Sequence, residues 1–181
     1  MDKADAPVDL HFDIHGKALA LLSQFVEPGV LAHRLDLLLT LRPQPADFDR
    51  VFTAEAVAGA RDAYLSLWAS PQPLNPPSHQ TLVELHVATA HELAIGSPAA
   101  REFPGGYAQI ASLLQPDRHW VCWRFGTPGQ SGGVLYDGLV WLDDRFAWFP
   151  KPWRFLVNRP GSRSPATASS TANAVVGQWD D

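Results

Sequence analysis

The residue best placed to do chemistry in this chain is Asp137, because of the rings that surround it in sequence. If Asp143-Asp144 form a two-residue hairpin loop, Trp141 pairs with Phe146 and Leu139 with Trp148. Two-residue alternation then sets Asp137 on the same aromatic face. A carboxylate pushed among rings has its charged form disfavoured and its pKa raised, which suits general acid–base work. On this reading Asp137 is the acid or base of a ring-lined cavity shaped by Trp141 and Trp148, with Tyr136 near its rim. The competing reading keeps Asp137 at the sheet margin, bonded to neighbouring amides ahead of Gly138 and chemically idle, as buried polar groups usually are.

Other candidate groups fall short on spacing. His91-Glu92 begins a zinc-protease-like motif, but the position of the second histidine is Ile95. His86 and His91 differ in parity on a strand and lie about 140° apart on a helix, so neither geometry makes a two-histidine site. No metal site is expected. Gly129-Gln130-Ser131-Gly132-Gly133 fits the Gly-x-Ser-x-Gly pattern, yet that chemistry needs a strand-to-helix turn and here two strands flank it. It reads as a hairpin loop. His119 and Cys122, three apart on a strand, leave opposite faces, so Cys122 reads as a small buried hydrophobe.

The segment Phe149-Pro150-Lys151-Pro152-Trp153-Arg154 closes the aromatic run. Two prolines predict a stiff, extended course. Lys151, Trp153 and Arg154 then offer an aromatic–cation group of the kind enriched at protein interfaces. The alternative folds Trp153 back over the helices to close the core.

These groups need elements to hold them. Ile14, Ala18, Leu21, Leu22 and Phe25 share one side of a short helix over 17 to 25, which Pro28-Gly29 ends. A second helix carries Leu31, Leu35, Leu38 and Leu39 and stops before Pro43. The third opens at Thr53 as N-cap, with Glu55 in its first turn and Phe52 stapled to Val57. Its stripe is Val57, Ala60, Tyr64, Leu67 and Trp68. A proline-rich loop over 71 to 77 follows. Residues 82 to 95 alternate as a strand that breaks near Ala90. Residues 98 to 114 give a helical turn and then a helix with Tyr107, Ile110, Ala111 and Leu114 inward. Strands are expected over 120–125, 134–142 and 145–149. From 158 the chain turns to Ser, Thr, Ala, Arg and Pro, a composition that buries no core and predicts a flexible C-terminal tail over 158–181.

Size and composition bound the rest. The chain has 181 residues, enough for one α+β domain over 1–157 with its own core. Five of its seven tryptophans lie between 119 and 156. A formal net charge of −5 without a basic stripe speaks against nucleic-acid binding. A single cysteine excludes an internal disulfide and a multi-thiolate zinc site. No apolar run nears the ~18 residues that cross a bilayer, and the N-terminus has no signal-peptide pattern. A cytoplasmic protein without membrane attachment or cofactor is the expectation.

Helices followed by an antiparallel sheet ending in Arg145-Phe146-Ala147-Trp148-Phe149 resemble the nuclear-transport-factor-2-like, or SnoaL-like, superfamily, over residues 16 to 156. The resemblance implies a cone of helices packed on a curved antiparallel sheet. It also implies a range of activities: enzymes, ligand carriers, dimerisation modules and toxin-immunity proteins. Two functions follow. The first is a non-catalytic protein-binding module, immunity- or inhibitor-like or homodimerising, whose partner is another protein or itself. The second is a small-molecule enzyme or carrier of the SnoaL-like sort, taking a small apolar ligand beside Asp137.

Overall fold

The computed structural model describes residues 10–157, and the tail expected over 158–181 lies outside them. Four strands, β1 (Leu82–Thr89), β2 (His119–Gly126), β3 (Leu135–Trp141) and β4 (Phe146–Trp148), form one antiparallel sheet in chain order. Around it lie α1 (Leu10–Ser23), α2 (Arg34–Thr40), α3 (Asp47–Val51), α4 (Ala54–Leu67), α5 (Ala90–Ile95), α6 (Gly106–Ile110) and α7 (Pro152–Leu156), with short 3₁₀ turns between. The architecture is α+β, helices packed on a curved antiparallel sheet, as expected.

Helices cover both faces. Toward α1 point Val87, Val121, Trp123, Leu139 and Trp148, where the Lys17 ammonium sits 4.8 Å from the Trp141 ring centroid. Toward α4, α6 and α7 point Ala88, Trp120, Val140 and Ala147, and the Trp120 ring meets Phe52 at 6.4 Å and Tyr107 at 5.6 Å. Trp120 and Trp123 are both sealed from solvent, on opposite faces. Each buried ring of that size removes enough apolar area to contribute roughly 2–3 kcal/mol.

Local chemistry explains where elements begin and end. α1 starts at Leu10, seven residues before the expected Lys17, because Gly16 faces solvent with nothing within 4 Å and does not interrupt the helix. Its cost of about 1 kcal/mol is offset by Ile14, Ala18 and Leu22, all fully buried at helical spacing. On α2 only Leu38 is buried among the leucines that were expected inward, while Leu35 and Leu39 stay exposed. Thr53 has the extended backbone of an N-cap at α4 but forms no side-chain cap bond.

The expected strand over 82 to 95 is corrected: it stops at Thr89 and α5 follows. Thr89-Ala90-His91-Glu92 is a capping box. The Glu92 amide donates to Thr89 Oγ1 at 3.1 Å. The Thr89 amide donates to Glu92 Oε2 at 2.7 Å. Gly96, with φ 66°, ends that helix, as glycine at a left-handed cap position commonly does. The extended course expected for the proline segment is corrected too. Pro152 is the first residue of α7, where its missing N–H and fixed φ favour a helix start.

The β3–β4 hairpin matches expectation in register: Trp141 pairs with Phe146 and Leu139 with Trp148. The Leu142 amide donates to the Arg145 carbonyl at 2.8 Å and closes the loop around Asp143 and Asp144. Asp143 adopts φ 71° and accepts both contacts from Arg118 Nη1 at 2.9 Å, and Arg50 also reaches it at 3.1 Å. Those bonds, Arg118 first, hold the Asp143 carboxyl below its ordinary pKa.

Candidate functional site

Alternation on β3 fails at Gly138. Val121 pairs with Leu139, but the next residue of β2, Cys122, pairs with Asp137, so Gly138 is the extra residue of a bulge. Its φ is +90°, and a Cβ there would lie 2.0 Å from the Phe149 carbonyl oxygen. Only glycine fits. The Phe149 amide donates to the Gly138 carbonyl at 2.7 Å, which ties the end of β4 across the bulge.

The bulge reverses the expected placement of Asp137. Its carboxylate does not share a face with Trp141 and Trp148. It points with Trp120 and Cys122 toward α6 and α7, while Tyr136 stays on the α1 side of the sheet, stacked on Trp123 with ring centroids 5.5 Å apart. The two candidate catalytic residues are thus on opposite faces.

Asp137 is 2% exposed. Its Oδ1 accepts the Tyr107 hydroxyl at 2.9 Å and the Lys151 amide at 3.1 Å, and its backbone carbonyl accepts Trp148 Nε1 at 2.8 Å. Burial pushes its pKa up to about 6, against the lowering effect of those two donors. Burial and the Asp137 charge raise the Tyr107 hydroxyl well above its ordinary value, so Tyr107 is a fixed donor. Cys122, buried beside them, is pushed up to about 12 and its thiol donates to the Glu102 carbonyl at 3.4 Å. No reactive thiolate results. The space bordered by Tyr136, Asp137, Trp148 and Lys151 holds about 10 Å³, room for one water.

The remaining expected residues pack as follows. Trp148 is buried against Trp68 and Trp123. Trp141 is half-buried between Phe146 and the Lys17 ammonium. Trp153 is half-buried over Gly106, where a Cβ would collide with its ring, and beside Tyr107. The Arg154 guanidinium lies 5.7 Å from that ring. Trp153 thus both closes the helical layer and stays partly accessible. Lys151 is half-buried and takes a left-handed backbone, φ 49°.

Ser131 sits in an exposed loop between β2 and β3 with no helix after it. His86 is exposed, 3.8 Å from Glu102 Oε2, and His91 is exposed on α5. His119 instead meets the His11 ring of α1 at 4.7 Å. Among the described residues, no group of three or more His, Cys, Asp or Glu side chains has the arrangement to hold a metal. No described helix is long and apolar enough to cross a membrane.

The large concavity lies elsewhere, between α2, the connector after it, and α4. It has a volume of about 630 Å³. Phe48, Tyr64 and Trp68 are its buried floor, and Leu39, Arg42 and Leu65 are its exposed rim. No carboxylate, histidine or cysteine lines it. Arg61, the other cation on its wall, reaches Asp49 at 3.4 Å and lies 5.6 Å from the Phe48 ring centroid. The Arg42 side chain has no partner among the described residues. Sequence reasoning missed this groove because its walls come from three segments, each of which reads alone as helix surface or connector. The one available signal was Leu39 and Leu65, apolar residues on the outer sides of two amphipathic helices.

No protein-family profile, no curated protein and no solved structure matches this chain.

Proposed function

We propose that this chain is a non-catalytic, cytoplasmic protein-binding module, immunity- or inhibitor-like or homodimerising, that takes its partner in the groove between α2 and α4. The observation that carries this reading is the division of labour in the molecule. The one strongly perturbed carboxylate, Asp137, is engaged inside the fold beside room for a single water, whereas the large groove has an apolar floor and no acid, base or nucleophile. Leu39 and Leu65 at its rim are 41% and 58% exposed, the kind of surface that association covers. Lys151, Trp153 and Arg154 on α7 form a second contact area of the same aromatic–cation character.

The test pairs light scattering with affinity capture from a lysate of the source organism, comparing the native protein with Leu65→Glu. Self-association, or capture of one partner, that Leu65→Glu abolishes is the expected result. A monomer that captures nothing, or a partner retained by Leu65→Glu, overturns it.

The elevated Asp137 pKa favours one further reading, the SnoaL-like enzyme or carrier of small apolar ligands. It requires the space beside Asp137 to widen well beyond one water, toward the few hundred Å³ that ligand sites usually have.

A further inference from the structure

We propose that the groove between α2 and α4 is the seat of the chain's own residues 175–181, Val-Val-Gly-Gln-Trp-Asp-Asp, which a partner must displace. The inference rests on the reading of that groove as the binding face, and it deepens it by naming the chemistry the groove takes.

Complementarity carries the argument. Val175, Val176 and Trp179 are the large apolar residues of a stretch otherwise made of small and polar ones, and Asp180 and Asp181 follow directly. The groove offers the matching order of surfaces: an apolar floor of Phe48, Tyr64 and Trp68, then Arg42 and Arg61 at its edge. These arginines are the only charged residues lining it, on a chain whose formal net charge is −5. Arg42 has no partner among the described residues, and Arg61 Nε has none either. An acidic segment with an aromatic anchor supplies what both lack, since guanidinium–carboxylate pairs give the strongest side-chain hydrogen bonds available.

Connection makes the contact reachable. The described chain ends on α7, whose Phe155 ring packs 5.3 Å from Tyr64 of the groove floor. Residues 158–174 then separate α7 from the segment, and a stretch of that length spans at most about 60 Å. A tethered segment meets its site at an effective concentration of order mM, so even a weak intrinsic affinity keeps the groove filled. A partner that binds there must carry the same apolar–acidic chemistry and outcompete the tether.

The test uses the full chain with Gln178→Cys carrying a nitroxide label. Cys122 is sealed in the core and is spared by the labelling reagent. The expected result is loss of most of the amide signal intensity at Arg42, Gln44 and Leu65, with β2 unaffected. The surface substitution Arg42→Glu restores those signals. Losses elsewhere, or none, overturn the proposal. A mixture of nitroxide-labelled protein with isotope-labelled protein lacking the new cysteine shows no loss if the contact is within one chain. Loss in that mixture assigns the groove to the segment of a second copy and overturns the intrachain contact. Because this experiment needs no partner, its failure is distinguishable from failure of the binding-module reading, which the Leu65→Glu capture decides separately.

Discussion

Asp137 holds its proton to higher pH than an exposed aspartate because burial disfavours its anion more than Tyr107 and Lys151 favour it. The effect on stability has a definite sign. Well below pH 4 the carboxyl is protonated in both folded and unfolded chains. As pH rises through 4 toward about 6, the unfolded chain ionises first and folded stability falls, then levels off. Across that window the loss from this one group is about 3 kcal/mol. Asp137→Asn keeps an oxygen to accept both donors and removes the ionisation. Urea unfolding at a series of pH values is therefore expected to show native stability dropping between pH 4 and 6 relative to the variant; parallel curves would count against it. The identity of this residue was legible in the sequence, and so was its burial. Its direction was not, because one glycine in the strand shifts the alternation and nothing in the composition of β3 marks Gly138 as an extra residue rather than a paired one.

At the scale of elements, the hairpin register was legible because Asp143-Asp144 is short and rings flank it on both sides, which leaves one pairing that matches them. The end of β1 was misplaced because Leu93 continues the alternation of Leu85 and Val87. The capping box from Thr89 to Glu92 outweighs that pattern and starts a helix. Thr89→Ala removes its reciprocal bonds and is expected to cost about 1 kcal/mol. Denaturant titration reads the cost directly, and a change below a few tenths would show that tertiary packing alone holds α5. Likewise the prolines around Lys151 suggested an extended chain. The left-handed backbone of Lys151 turns the segment at once into α7, which sets Trp153 over Gly106.

Across the whole molecule, helices on both faces make the sheet an inner layer with two kinds of attachment. α1 meets the sheet partly through His11, His119 and Glu92. Burial, with His11 and Arg118 nearby, lowers the His119 pKa. At Glu92 burial pulls upward, but the Thr89 bonds and both histidines outweigh it and hold the carboxyl low. Both shifts favour the docked state at neutral pH. His119 withdraws its share as pH falls below about 6.5, and Glu92 does so below its ordinary range, near 4.5. Asp137 on the other face moves oppositely and gains in acid. Hydrogen exchange, corrected for intrinsic rates, is thus expected to show α1 amides losing protection before those of β3 as pH falls from 7 to 4. Uniform loss across the layers would contradict this. The bulge at Gly138 also divides the sequence into positions that tolerate a change of length and one that does not. Among the exposed glycines from Gly129 to Gly133, a residue gained or lost alters only a surface loop. The same deletion at Gly138 would rotate the start of β3 by half a turn, sending a carboxylate among the tryptophans and a tyrosine into the place of Asp137. Lineages of this protein should therefore vary in length at the first site and keep a fixed count at the second.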